Sequence, residues 1–280
     1  MVKTLVSYFV SDDRYNDLLD VSVNSFHYFH KNENYELIVC NQQKLSILNI
    51  NQEQPFGIVK FECAYKLAKL FDADKVIILG ADTIICSRLD EFFDDSQTDI
   101  LATLDYPYKI PFDFVNSTDE NHINADVICF NNLDSLQKII QLSKKDIYLC
   151  SVGYYFEQGA LNDFVFSGNY SCTSKIVDYP YSTSKVVYNV RSKGNRTLSE
   201  LFDPIIINAC NNYFVDDDKL YSFDKKQIKV FHYGTGFGTF SEEKFKEVLA
   251  WYANKCFNEQ TKTFFKKISG SNMFNLESCL

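Results

Sequence analysis

The acidic residue Asp82 follows a short apolar run, in a position where a carboxylate can do chemistry. The run Lys75–Leu79 contains four consecutive apolar residues, three of them β-branched, and Gly80 and Ala81 separate it from Asp82. Such a run, bounded by a turn residue, predicts a strand buried on both faces, and ligands bind beyond the carboxyl ends of such strands. A carboxylate there can hold a hard divalent cation against a diphosphate. Aspartate is also common in turns and helix caps, so this interpretation requires partners elsewhere in the chain.

Further polar groups open a strand and a helix in the middle of the chain. Asn124 and Asp126 alternate with apolar residues in the predicted strand over 122–130, and Glu157 and Gln158 begin a predicted helix. A carboxylate so placed can act as a general base. The structural alternatives are that Asp126 faces solvent from its strand and that Glu157 is a first-turn acid that favours a helix start.

A late histidine leads into a glycine-rich segment. His232 follows the predicted strand over 228–231 and precedes Gly234 and Gly236. Glycines let backbone N–H groups approach phosphate oxygens closely, and imidazole is a common metal ligand. A lone histidine is more often a surface or hydrogen-bonded residue, and the glycines fit a simple turn, so both readings stay open.

The elements that must position these groups alternate between strand and helix. This alternation predicts right-handed crossovers and a parallel sheet in an α/β fold. No G-x-G-x-x-G follows the first strand and no G-x-x-x-x-G-K-[ST] occurs, which argues against dinucleotide binding of the usual kind and against P-loop chemistry. The predicted strands cover 4–10, 37–40, 75–79, 99–104, 122–130 and 228–231, and the predicted helices cover 15–29, 58–70, 133–142, 157–164 and 242–257. We expect 41–56 and 106–121 to be connections, and 167–203 to form loops with short strands.

The composition limits the class of protein. A chain of 280 residues with 46% hydrophobic residues can build a substantial core, and a net charge of −9 argues against nucleic acid as a partner. Nine scattered cysteines without a C-x-x-C pair suggest a reducing compartment, and no apolar run approaches the ~20 residues of a membrane span. We therefore expect a soluble, cytoplasmic protein. The segment Lys262–Lys267 mixes bases with aromatics and leaves open a peripheral contact with a membrane surface.

Five segments, taken in order, resemble a known family. They are Ser11–Tyr15, Gly80–Thr83, Ile123–Asp126, Glu157–Asn162 and His232–Gly236. In order and spacing the chain resembles the GT-A-fold glycosyltransferases, and it is most similar to glycosyltransferase family 8, the glycogenin and galactosyltransferase group. The resemblance covers roughly residues 3–240 and implies transfer of a sugar from a nucleotide-sugar with the help of a divalent metal.

The resemblance also implies roles for the candidate residues of the reaction centre. Asp82 and His232 match metal ligands that would hold Mn²⁺ or Mg²⁺ on the donor diphosphate. Gln158, with Glu157, matches a pair near the reacting sugar carbon. A divalent cation would neutralise the charge that grows on the leaving group, and carboxylate or amide oxygens would steady an oxocarbenium-like sugar.

Donor-binding roles follow from the same resemblance. Asn124 matches a residue near the donor sugar, and the glycines Gly234 and Gly236 match the late phosphate-binding loop. The remaining donor-binding candidates are Ser11, Asp12 and Tyr15, where the nucleoside base would be read, and Lys66, on the helix before the central strand.

The chain departs from the family pattern at four positions, one of which is near Gly238, where the family's lysine after the late glycine loop is absent. Gly80 stands where the pattern has the first Asp of Asp-x-Asp, Asp126 replaces a small residue, and Glu157 replaces a shorter Asp. Two alternatives therefore stay open beside a retaining transferase. One is an inverting GT-A transferase with Asp126 or Glu157 as general base. The other is a nucleotide-sugar-binding or interaction module without turnover, which the missing carboxylate at Gly80 keeps open.

The expected architecture is a single GT-A-like α/β domain over residues 1–280, with a mixed, mainly parallel sheet flanked by helices and 241–280 as a C-terminal helical extension. The expected activity is transfer of a sugar from a UDP-linked donor to a hydroxyl of a glycan, a lipid-linked acceptor or a protein.

Overall fold

A computed structural model describes residues 2–11, 15–104, 123–149, 156–176, 213–216, 219–222 and 227–232. The strands are β1 (Thr4–Val10), β2 (Tyr35–Asn41), β3 (Lys75–Leu79), β4 (Thr83–Ile85), β5 (Ile100–Leu104), β6 (Ile123–Phe130), β7 (Ser174–Ile176), β8 (Tyr213–Asp216), β9 (Lys219–Ser222) and β10 (Val230–His232). The helices are α1 (Asn16–His30), α2 (Gln42–Ile47), α3 (Phe56–Leu70), α4 (Asp90–Asp94), α5 (Leu133–Ser143), α6 (Asp146–Leu149) and α7 (Phe156–Phe166).

The chain divides into two compact units. The first takes its residues from Met1–Ser11, Asn32–Gly80 and Leu89–Asp178, and the second from Asp12–Lys31, Ala81–Arg88 and Tyr179–Leu280. The expectation of a single domain stays a prediction. The expectation of a helical extension over 241–280 also stays a prediction, because that segment lies outside the described residues.

The first unit contains a six-stranded sheet in the order β2-β1-β3-β6-β5-β7. Strand β1 runs parallel to β2 and β3, and β7 runs parallel to β5, whereas β6 runs antiparallel to both of its neighbours, β3 and β5. The apolar sequences of β1 and β3 explain why these strands lie in the middle, since both are buried along their whole length. The predicted α/β fold with a mixed, mainly parallel sheet is confirmed.

The reversed direction of β6 brings its first residues to a particular edge of the sheet. Strands β1, β2, β3 and β5 end at this edge and β6 begins there, and we call it the carboxyl edge. The pairing of Leu79 with Val127 continues by one further hydrogen bond, in which the Gly80 N–H donates to the Asp126 carbonyl at 2.8 Å. Residues 124–126 therefore lie where an open α/β sheet binds its ligands.

Helices α3, α5 and α7 of the first unit pack on one another and on the sheet. Helix α3 lies against β1 and β3, and α7 lies against β6. The rings of Phe61 on α3 and Phe130 on β6 meet edge to face, with centroids 5.7 Å apart, and both side chains are fully buried. This packing fixes α3 and α7 above the strands that carry the candidate residues.

The second unit holds the short strand β4 between a helix and another strand. β4 pairs antiparallel with β10, so that Thr83 lies opposite His232. Helix α1 packs on β4, where the Ser22 and Thr83 hydroxyl oxygens are 2.7 Å apart and the Ile85 N–H donates to the Ser25 hydroxyl. These bonds fix the backbone that directly follows Asp82.

Most of the predicted elements in the described part of the chain are found, and two differences have clear causes. The expected connection over 41–56 contains α2, which begins because the Asn41 side chain accepts a hydrogen bond from the Lys44 N–H. No strand is predicted directly after Asp82, but Thr83–Ile85 form β4, whose partner β10 lies far along the sequence. The predicted helix over 242–257 and the connection over 106–121 lie outside the described residues.

Within the ranges given above, no helix combines the length and the apolar character that crossing a bilayer requires.

The buried lysine Lys75 stabilises the first unit at the start of β3. Its ammonium group donates to the carbonyls of Phe92, Phe93 and Asp95 at 2.9–3.1 Å, and the residue is 1% exposed. We expect Lys75→Met to lower the free energy of unfolding by about 2–4 kcal/mol, because the carbonyls at the end of α4 lose their donor. Urea denaturation measures the effect.

The matched control is Lys69→Met, at an exposed position of α3. A change within about 0.5 kcal/mol is expected there. Equal losses in the two variants would contradict the stabilising role assigned to Lys75.

Candidate functional site

A buried lysine joins two carboxylates at the carboxyl edge. The Lys60 ammonium lies 2.5 Å from Asp126 Oδ1 and 3.4 Å from Glu157 Oε1. The exposed fractions of the three side chains are 4% for Lys60, 21% for Asp126 and 9% for Glu157. We call these three residues the Lys60 cluster. Only Asp126 within the cluster is appreciably accessible to solvent, so a ligand at the carboxyl edge would reach that carboxylate first.

Three different elements contribute to the Lys60 cluster. Lys60 lies on α3 at helical spacing from the buried residues Ala64 and Leu67, so it shares their face toward the sheet. Asp126 is the fourth residue of β6, and Glu157 is the second residue of α7. A lysine on an apolar helix face is costly to bury alone, and the two acids supply its counter-charges.

The charges of the cluster do not balance when both acids are ionised. Burial raises the pKa of the Glu157 carboxyl, the negative charge of Asp126 raises it further, and Lys60 opposes both. The buried acid therefore holds its proton more readily than an ordinary glutamate. Two acids with different surroundings and one shared cation form an arrangement that can hold or release a proton.

Two amide side chains of α7 bind the first residues of β6. The Asn162 side chain accepts from the Ile123 N–H at 2.6 Å and donates to the Ile123 carbonyl at 3.1 Å, as a neighbouring strand would. One turn earlier, the Gln158 Oε1 accepts from the Ala125 N–H at 3.2 Å. Both side chains are buried. The predicted reaction-centre residue Gln158 thus also ties α7 to β6.

Asn124 fixes the backbone beside the cluster. Its Oδ1 accepts from the Asp126 N–H at 2.6 Å, and the residue is fully buried. This local bond sets the direction of the chain at Asp126. The structure therefore brings four predicted residues, Asn124, Asp126, Glu157 and Gln158, together at one edge of the first unit.

The two predicted metal ligands belong to the second unit. Asp82 is half-buried and directly precedes β4, and the register of β4 with β10 places His232 opposite Thr83. Carboxylates and imidazoles are common ligands of divalent cations, and the assignment of a metal to Asp82 and His232 stays a prediction. Among the described residues, no group of three His, Cys, Asp or Glu side chains is placed to hold a metal ion.

The other predicted donor-binding residues have varied positions. Ser11 follows β1 and Tyr15 directly precedes α1, and both are half-buried. Asp12, Gly234 and Gly236 lie outside the described residues. Lys66 donates to the carbonyls of Leu48 and Asn49 at 2.8 and 2.6 Å, so it holds the end of α2. Its ammonium is engaged there rather than with the carboxylates.

The lysine that does contact the carboxylates, Lys60, was not singled out by the sequence analysis. A signal for it exists in the sequence, because Lys60 stands at the spacing of Ala64 and Leu67, which are core positions. A charged residue at a core position of a helix indicates a buried partner of opposite charge.

Comparisons with known proteins agree with this fold. No protein-family model and no curated protein matches the sequence. An active-site Gln-to-Glu mutant of the galactosyltransferase LgtC matches over 87% of this chain and 94% of its own, with 16% identity and a TM-score of 0.51. The bifunctional glycosyltransferase WbbM matches over 95% of this chain, with 15% identity and a TM-score of 0.51, and the match spans 51% of WbbM.

These likenesses show the fold of the chain. It is a mixed α/β fold with a mainly parallel sheet, similar to GT-A glycosyltransferase structures. At this level of identity, activity has to be argued from the side chains at the carboxyl edge and from the Asp82 segment.

The raised pKa of Glu157 predicts how stability depends on pH. The folded protein keeps a proton on Glu157 that the unfolded chain releases near the ordinary value of 4.5. This contribution to the free energy of unfolding is fully present below pH 4.5, and it is lost as the pH rises through the pKa of Glu157 in the folded protein. We expect the wild-type protein to lose stability relative to Glu157→Gln across this window, measured by urea denaturation at a series of pH values.

The control for the chemical change is Glu53→Gln, in the exposed connection between α2 and α3. If the wild-type protein instead gained stability relative to Glu157→Gln as pH rises, the attraction of Lys60 would outweigh burial. The raised pKa of Glu157 would then be refuted.

Proposed function

We propose that the protein transfers a sugar from a nucleotide-sugar, with UDP as the expected nucleotide, to a hydroxyl group of a glycan, lipid-linked or protein acceptor. The observation that carries this proposal is the Lys60 cluster, a charged group at the ligand-binding edge of a GT-A-like sheet. Asp126 keeps about a fifth of its side chain exposed, so a ligand at this edge can contact its carboxylate.

Within this proposal the members of the cluster have different tasks. Asp126, the accessible carboxylate, faces the reacting sugar and stabilises the positive charge that develops on it. Lys60 and Glu157 hold Asp126 in place and set its charge. Asn124 and Gln158 fix the β6 backbone by accepting hydrogen bonds from the Asp126 and Ala125 N–H groups. Retention of the anomeric configuration is the outcome expected from the family resemblance. In an inverting enzyme, Asp126 is the better candidate for the base because it is more exposed than Glu157.

The proposed metal ligands are Asp82 and His232. Mn²⁺ or Mg²⁺ bound there would neutralise the charge that develops on the departing nucleoside diphosphate. Asp82 supplies the oxygen ligand that such hard cations prefer. The adjoining segment is held by the hydrogen bond between the Ser22 and Thr83 hydroxyl groups and by the Ile85 N–H, which donates to the Ser25 hydroxyl.

A nucleotide-sugar-binding module without turnover is the second candidate. The bond between Gln158 Oε1 and the Ala125 N–H favours it, because an amide that ties α7 to β6 is not free to change partners during a reaction. Slow hydrolysis of the donor in the absence of acceptor would favour the enzyme. Tight nucleotide binding without any turnover would favour the module.

The donor is identified by thermal stabilisation with a panel of nucleotides and nucleotide-sugars, each with Mn²⁺ and with chelator. A ligand at about 100 times its dissociation constant stabilises the fold by roughly 2.7 kcal/mol, which a melting experiment resolves. We expect one UDP-sugar to raise Tm in the presence of metal, and we expect chelator, Asp82→Ala or His232→Ala to remove the shift.

The matched control is Asp94→Ala, an exposed carboxylate on α4 that should leave the shift unchanged. A shift that survives chelation would rule out the metal. The absence of a shift with every nucleotide would rule out the donor site.

The role of Asp126 is tested by Asp126→Asn. The amide keeps the shape of the side chain but removes the charge, so we expect donor turnover to fall at least about 100-fold while nucleotide binding persists. Steady-state kinetics and the thermal shift measure the two effects separately.

Asp134→Asn, at an exposed position of α5, controls for the loss of a carboxylate and should keep full turnover. Full turnover in Asp126→Asn would remove this residue from the reaction.

A further inference from the structure

The first turn of α3 contains a buried glycine whose missing side chain is replaced by a carboxylate. A Cβ placed on Gly57 would overlap all three heavy atoms of the Glu157 carboxyl group. The Glu157 carboxylate therefore occupies the volume that any other residue at position 57 would fill. Gly57 is buried, and the Glu157 residue is 7% exposed.

The conformation of the backbone does not explain this glycine. Gly57 lies within the regular helix α3, and its φ is not in the left-handed region where glycine is favoured. Glycine is, after proline, the least favourable residue inside a helix. The structure offers one reason for glycine at this position, which is the space that it leaves for the Glu157 carboxyl group.

That space lies directly beside the cation of the cluster. Lys60 follows Gly57 by three residues, so both face the same side of α3. The carboxylate that lies against Gly57 is 3.4 Å from the Lys60 ammonium, and the Asp126 carboxylate of β6 is 2.5 Å from it. One turn of α3 thus supplies both the space and the counter-charge for Glu157.

We propose that Gly57 is a positioning residue, whose missing side chain lets the Glu157 carboxylate lie against α3 and share Lys60 with Asp126. Any larger residue at position 57 displaces the Glu157 carboxylate and leaves Lys60 paired with Asp126 alone. An effect of position 57 on the rate of reaction rests on the proposed sugar transfer. The displacement of the Glu157 carboxylate by a larger residue does not depend on that proposal.

The steric part is tested by thermal unfolding of Gly57→Ala in two backgrounds. In the wild-type background we expect Tm to fall by about 5 °C or more, although alanine is the better helix former. In the Glu157→Ala background the overlap is gone, so Gly57→Ala should leave Tm unchanged or raise it. Glu157→Gln, which keeps the length of the side chain, should retain the loss.

Equal effects of Gly57→Ala in the wild-type and Glu157→Ala backgrounds would overturn the proposal. If Gly57→Ala alone gives no folded protein, recovery of soluble, folded protein in Gly57→Ala/Glu157→Ala supports the proposal, and failure to recover it overturns it. The control substitution on the same helix is Lys69→Ala, at an exposed position, which should shift Tm equally little in both backgrounds.

The catalytic part is tested by turnover. The charged groups that face the Glu157 carboxylate are Lys60 on α3 and Asp126 on β6. Displacement of the carboxylate changes the surroundings of both acids, so Gly57→Ala should lower kcat about tenfold or more and shift the pH profile. Gly57→Ala/Glu157→Asp, with an acid one methylene shorter, should recover part of the lost rate.

A lower rate with an unchanged pH profile and no recovery by Glu157→Asp would show a role in folding alone and overturn the catalytic part. If the wild-type protein turns over no donor, the proposed function fails. The effects of Gly57→Ala on Tm in the wild-type and Glu157→Ala backgrounds still decide whether Gly57 positions the Glu157 carboxylate.

Discussion

The Lys60 ammonium, removed from water and held between two carboxylates, is the interaction on which the candidate site depends. Burial of an ammonium group is costly unless opposite charges and hydrogen bonds compensate for the lost hydration. Here the compensation comes from Asp126 and Glu157, which belong to two different elements. The cluster therefore requires that α3, β6 and α7 meet at one point, and an error in the placement of any of them removes at least one of its two ion pairs.

Neutral hydrogen bonds hold the same elements in place. The first residues of β6 bond to the side chains of Asn162 and Gln158 on α7, next to the point where the register between β5 and β6 shifts. Side-chain amides can satisfy both backbone N–H and carbonyl groups, as the bonds of Asn162 to Ile123 illustrate. Because these bonds carry no net charge, they position the acids without altering the balance of charge that the Lys60 cluster sets.

The parts of the fold that the sequence predicts well are those determined by local patterns. The apolar run of β3 and the helical spacing in α1 and α3 led to correct elements with boundaries within two residues. Strand β4 could not be predicted in this way, because its three residues form a strand only by pairing with β10, far along the chain. The two lysines of α3 show the same limit within one helix. Lys66 is six residues from Lys60, which is about 240° around the helix, and only the partners of each side chain reveal which of them meets the acids.

Gly80 and Asp126, the positions of two departures from the pattern that the chain resembles, lie side by side because β3 and β6 are neighbours. The Gly80 N–H donates to the Asp126 carbonyl, so the two residues lie opposite each other in antiparallel strands. Side chains at opposite positions of such a pair project to the same face of the sheet, about 5 Å apart. The carboxylate that the Asp-x-Asp pattern would place at position 80 is absent, and one is present at 126, directly across the ladder. A carboxylate on that side of the ladder lies within reach of Lys60, and this contact explains why a small residue is not required at position 126 in this chain.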